Sequence, residues 1–179
     1  MKNTDAQLAL QNALITLFHD NPDKKISIMA LCQTAHVARS TFYAYYDTLN
    51  ELLTEIEDKI VKEISDLDDQ IVDRNIIQAE DLAYFSKLMS YIKEHAYVIE
   101  TLLVIKPDII LINKWQDAIK KHLFKRRQGN FSQEFKLEAD VLSAGALNGF
   151  IYLLKHPQEV SDKDIINVVS ANIQVLDNL

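Results

Sequence analysis

The sequence predicts an all-α protein of about nine helices, a three-helix helix-turn-helix head on a larger helical bundle. Three observations predict it. Glycine and proline, three of each, make up six of 179 residues, where average usage would supply about 12%. The turns that sandwiches, meanders and doubly wound sheets need at short intervals are therefore missing. Apolar residues instead recur at three- and four-residue spacing along most of the chain. Residues that start and stop helices bracket each of those stretches.

The elements follow in order. Thr4 to His19 carries Leu10, Leu14, Leu17 and Phe18 on one stripe, and Asp20-Asn21-Pro22-Asp23 stops it. Ser27 caps a short helix over Ile28 to Thr34. A tight turn at Ala35 to Ala38 leads to a second short helix, Arg39 to about Tyr45. Thr48 opens a long helix, Glu51 completes a capping box, and Leu52, Ile56, Ile60 and Ile64 form its ladder. Asp66 to Gln78 is weakly patterned and predicts the end of that helix and a loop. Glu80 and Asp81 start the next helix, with Leu82, Phe85, Met89 and Ile92 inward. Tyr97 to Ile105 is short and apolar. Asp108 to Arg127 aligns Ile112, Trp115, Ile119 and Leu123, and Gly129-Asn130 breaks it. Ser132 to Lys155 is long and apolar up to Pro157. Ser161 and Asp164 open a last helix to about Leu176. Two units result: a head over residues 1–47 and a body over 48–179.

Charge and composition then exclude function classes. The net charge of −7 does not favour phosphates or anionic lipid, so any nucleic-acid contact must be local. With glycine so scarce, no Gly-x-Gly or Gly-Lys-Ser/Thr run exists to cradle a phosphate. One cysteine, Cys32, rules out an internal disulfide and fits a reducing, cytoplasmic setting. The N-terminus lacks the charged-then-apolar order of a leader. The longest uncharged run, Val141 to Leu154, has 14 residues, which predicts a buried core helix and no membrane span. The five histidines are dispersed and Asp66 to Asp69 lacks the glycine and closing glutamate of a calcium loop, so no metal and no cofactor are expected. No catalytic constellation appears, and the expectation is a protein that is not an enzyme.

Two short helices joined by a tight turn and braced by a longer one form a helix-turn-helix. Leu31, Ala35, Val37, Phe42 and Tyr46 share the inward faces, which leaves Arg39, Ser40 and Tyr43 outward on the second short helix. Arginine forks onto guanine, serine meets several base edges or a phosphate, and tyrosine meets a phosphate or a thymine methyl. The run from Ile28 to Tyr46, with Ser40-Thr41-Phe42-Tyr43 at its centre and Glu51-Leu52-Leu53 after it, resembles the N-terminal domain of the TetR family of transcriptional regulators. The resemblance spans about residues 6–56. It implies a homodimer whose heads bind a double-stranded DNA operator and whose bodies form a ligand pocket and a dimer interface. It places Ser27 near phosphate, Arg39, Ser40 and Tyr43 in the major groove, and Thr41 and Tyr45 on the backbone. Four positions depart from the family pattern. His36 stands for the turn glycine, Ala38 for the capping serine, Tyr45 for a histidine and Leu49 for a lysine. Residues 1–50 hold four cations and four acids, so the head has no net charge.

In the body, polar-tipped aromatics interrupt apolar stripes. Tyr91, Trp115, His122 and Tyr152 are the candidates to line a pocket for a small, mostly apolar ligand. Of the last two helices, the most apolar pair, Ser132 to Lys155 carries small residues from Ala139 to Gly149 beside Leu142, Leu147, Phe150 and Ile151, and the pair predicts a four-helix dimer interface. A second reading follows from the uncharged head: a helical module that binds DNA weakly and acts through a protein partner.

Overall fold

The computed structural model describes residues 4–69, 77–126 and 131–176. These form nine α-helices and no strand: α1 Asp5–Asp20, α2 Ile28–Thr34, α3 Arg39–Tyr43, α4 Leu49–Asp69, α5 Ile77–Glu94, α6 Ala96–Glu100, α7 Ile109–Arg126, α8 Gln133–Lys155 and α9 Asp162–Leu176. The all-α expectation holds. Helix starts match the local chemistry. Thr4 forms a reciprocal capping box with Gln7, and Ser27 and Ser132 accept from the backbone N–H groups of Ala30 and Phe135. Thr48 accepts from Glu51 N at 3.2 Å, but the Glu51 carboxylate returns to the N–H of Asp47 at 2.7 Å, one residue earlier than a capping box requires.

Three boundaries differ from expectation. α3 stops at Tyr43, and Ala44 and Tyr45 continue as a turn whose N–H groups bond Ser40 O and Phe42 O. α5 starts at Ile77, before the acidic pair. The apolar segment after Tyr97 changes pitch midway, because α6 passes into a π-helical turn over Thr101–Ile105. There the N–H of Lys106 reaches Thr101 O at 2.8 Å, five residues back. Arg127 and the Gly129-Asn130 stop lie outside the described residues, as do the side chains of Glu80, Asp81 and Leu82.

One continuous apolar core joins the two units. Leu10, Leu14, Leu31, Phe42 and Leu52 hold α1 to α4 together. Ile64, Phe85, Trp115, Leu123 and Phe150 hold the body. Among the described helices, α8 alone is long and apolar enough to cross a membrane by length and composition. It lies against α7 and α9, with Ala139, Ala146, Leu147 and Phe150 buried.

Polar seams fasten α1 and α4 to the rest. At the end of α1, Lys106 Nζ donates to the Pro22 carbonyl and lies 5.2 Å from the Phe18 ring centroid. Beside it, the buried Thr101 hydroxyl donates to Tyr97 O at 2.6 Å, so the 3.1 Å contact with His19 uses the histidine Nδ1–H as donor. On α4, Lys114 of α7 bonds both Glu57 at 2.9 Å and Asp58 at 2.6 Å. Glu57 is only 1% exposed. Burial pushes its pKa up, while Lys114 pulls it down and Asp108 pushes it up again.

The turn between α2 and α3 is a Schellman motif. Val37 N bonds Cys32 O, His36 N bonds Gln33 O, and His36 has φ 55°. Glycine is favoured there because an L side chain pays about 1–2 kcal/mol in that region. Replacing His36 by glycine should therefore raise stability by about 0.5–1 kcal/mol, after the larger entropy of the unfolded glycine chain is deducted. The histidine ring is exposed, so little packing is lost. Urea titration of His36→Gly checks this, and a loss of stability would show that the ring contributes more than its backbone strain.

Candidate nucleic-acid interface

α1 braces α2, and the left-handed residue between α2 and α3 sets the angle of the third helix. Inward side chains hold that angle. Leu31 and Phe42 are fully buried and Tyr46 nearly so, while Ala35 and Val37 are half-buried against them. The Tyr46 hydroxyl has no partner in hydrogen-bonding geometry. Burial and the nearby Glu55 carboxylate push its pKa up to about 12, so it stays a neutral phenol. Glu55 itself accepts from Gln11 Nε2 at 2.9 Å, which ties α4 to α1.

All of the outward positions are accessible. Ser27, Arg39, Ser40, Tyr43 and Tyr45 are exposed and Thr41 is half-buried. Arg39 Nη2 contacts the Tyr43 hydroxyl at 3.4 Å, with its guanidinium carbon 6.0 Å from the ring centroid. The pair is loosely pre-arranged and remains free to meet a ligand. The Ser27 hydroxyl accepts from Ala30 N, which leaves one lone pair and the proton for further contacts. Ala38 gives α3 no side-chain cap. Cys32, close enough to Arg39 to feel its charge, is buried, and burial raises its pKa more than Arg39 lowers it.

No protein-family model and no curated protein matches the sequence. Solved structures do match. A TetR transcriptional regulator from Streptococcus agalactiae 2603V superposes with a TM-score of 0.71 at 18% identity, over 93% of this chain and 92% of that one. A transcriptional regulator of the TerR/AcrR family from Aquifex aeolicus VF5 gives 0.64 at 17%, over 96% and 99%. The dihydroxyacetone kinase operon activator DhaS gives 0.57 at 21%, over 97% and 94%. The fold is TetR-like. At these identities the likeness concerns the backbone, and the chemistry rests on the residues present.

Within this TetR-like fold the four candidate ligand residues of the body are not gathered at one place. Trp115 is fully buried and its indole N–H has no hydrogen-bond partner. His122, one heptad later on α7, is buried and stacked 3.9 Å from the Tyr84 ring. Tyr91 sits on another side of the bundle. Its hydroxyl donates to Glu63 at 2.8 Å, its pKa is raised by burial and by that bond, and it lines a cleft between α1, α4 and α6. Tyr152 is 47% exposed and stacks on His156 at 4.3 Å, so it faces outward. Sequence reasoning grouped them because each is a polar-tipped aromatic on an apolar stripe, and α8 is apolar on more than one face.

That outward face is the feature that spacing alone misassigned. Leu147 and Phe150, expected at a subunit interface, are buried in the chain's own core. The solvent-facing stripe of α8 is Leu137, Val141, Gly145, Asn148 and Tyr152, uncharged throughout. Val141 and Gly145 of that stripe, with Glu138 and with Val168 and Asn172 of α9, line a groove of about 320 Å³ floored by Ala146, Gly149 and Ile165. A Cβ added at Gly145 would meet nothing within 4 Å.

Proposed function

We propose that this chain is a TetR-like transcriptional regulator. In this reading residues 1–47 bind operator DNA and residues 48–179 form the regulatory and dimerisation body. One observation carries it: the third helix buries Phe42 while Arg39, Ser40 and Tyr43 stand exposed together on a braced, short helix. That is the arrangement a recognition helix needs in a major groove. Ser27, Thr41 and Tyr45 are assigned to the flanking sugar-phosphate backbone. The body pairs with a second copy through the outward stripe of α8 and α9, which gives the two-fold axis a palindromic site demands. The assignment includes no catalytic step, and the cytoplasm is its place of action.

The small-molecule part of the reading narrows to Trp115 and His122. A buried indole N–H without an acceptor is costly to leave unmade, and an apolar ligand carrying one acceptor would satisfy it. Trp115 is the only tryptophan, so its fluorescence reports such a ligand directly.

Selection of random duplexes by the purified full-length chain tests the DNA assignment, and enrichment of a palindrome is the expected result. On the selected site, Arg39→Ala should weaken binding by about 1–3 kcal/mol and relax the preference at one base pair. Its thermal midpoint should stay unchanged, since Arg39 is exposed. Undiminished affinity in a gel-shift titration removes Arg39 from the interface. Capture of a protein partner with no enriched duplex would favour the second reading, which the uncharged head motivates.

A further inference from the structure

From Ile26 to Asp58 the chain carries a single lysine or arginine, Arg39. That stretch covers α2, α3 and the first half of α4. A head built for phosphates would cluster cations there, because phosphate neutralisation dominates the affinity of most DNA-binding surfaces. This head offers carbon instead. Met29 is 57%, Tyr43 49% and Tyr45 42% exposed, and the methyls of Ala38 and Ala44 are also exposed. At 100° per residue, Arg39, Ser40, Tyr43 and Ala44 occupy an arc of about 140° on α3 and its first following residue. Ala44 keeps helical dihedrals, so its methyl continues that surface.

The major groove displays one strongly apolar group, the C5-methyl of thymine, and small or aromatic side chains are what pack against it. The minor groove shows no methyl. RNA carries uracil and closes its major groove to side chains, so the surface fits B-form DNA and not an RNA helix. We infer that the head recognises thymine methyls, with Tyr43 and Ala44 packed on them and Arg39 supplying the one charged base contact. This rests on the operator reading above and deepens it, naming how a head with no net charge selects its sequence.

The experiment uses the duplex enriched by the wild-type chain, with each thymine replaced in turn by deoxyuridine. That exchange removes one methyl and leaves base pairing intact. At one or two positions in each half-site the affinity should fall about fourfold, the equivalent of about 0.8 kcal/mol for one buried methyl-sized group. Tyr43→Ser should erase the loss at one of those positions, whereas Tyr43→Phe should keep it, even though its overall affinity drops with the phenol that Arg39 contacts. The wild-type comparison needs no variant, so a folding defect in either mutant leaves the result readable. Indifference to deoxyuridine at every position, in a duplex still bound tightly, overturns the inference and spares the operator reading. Failure to enrich any duplex overturns both.

Discussion

Replacing Lys114 by methionine should destabilise the protein by about 3 kcal/mol, the low end of the range for breaking a buried ion pair. The lysine is 30% exposed, but its partner Glu57 is 1% exposed. Methionine keeps the length and apolar stem of the lysine, so the loss isolates the charge. For a chain of this size the thermal midpoint should fall by about 6–12 °C. The pH dependence has a definite sign. Burial already holds the Glu57 pKa above its ordinary value, and loss of Lys114 removes the bond that lowers it. A carboxyl raised in the folded state binds more protons folded than unfolded, so stability declines as pH rises from the ordinary carboxylate range through the folded pKa. The deficit of Lys114→Met should therefore shrink as pH is lowered from 7 to 5. Adding Glu57→Leu to the variant should recover most of the loss, because no buried charge is then left unpaired. Urea titrations at the two pH values check both points. A loss below about 1 kcal/mol, unchanged by acid, would mean that water reaches Glu57 once the lysine is gone.

The location of that pair bears on the proposed regulation. α4 starts beside the head and runs into the body, and Glu57 lies about 12 Å along it at 1.5 Å per residue. Lys114 on α7 thus holds the link helix near its head end, while Lys106 and Thr101 hold the end of α1. A ligand that prefers a different position of α7 must pull against the first fastening, and its leverage is limited to its own difference in affinity between the two positions.

The capped helix starts were legible because caps are local. Thr4, Ser27, Ser132 and Ser161 each act on the residue three positions ahead, and each stands in the sequence where the structure uses it. The exposed face of α3 was legible for the same reason. A five-residue helix with one phenylalanine to bury leaves little choice of orientation. What could not be read was long-range. Lys114 and Glu57 are 57 positions apart, and nothing beside either predicts a partner. The π turn at Thr101 was hidden too, since one extra residue in a short apolar run leaves its composition unchanged. On α8, apolar residues surround the helix, so periodicity does not say which stripe meets the chain's own core. Leu147 and Phe150 turned inward, while Leu137 and Val141 were left outside.

That outward stripe carries the last expected result. The wild-type chain should sediment as a dimer at micromolar concentration, and Val141→Glu combined with Val168→Glu should sediment as a folded monomer. Both valines are about three-fifths exposed in the single chain, so their replacement leaves its own core intact. In a two-fold interface each substitution occurs twice and brings like charges together in an apolar setting. Losing the burial of four valines removes upward of about 4 kcal/mol, a thousandfold in the dissociation constant. Operator affinity should fall with it, since each head then binds its half-site alone. Gly145→Leu supplies the steric version of the test. Its side chain finds open space within the subunit and improves helix propensity by about 0.8–1 kcal/mol, so the chain should become more stable as a monomer while losing its dimer. A dimer that survives both changes would place the two-fold axis on another face, and the groove between α8 and α9 would then need a different occupant.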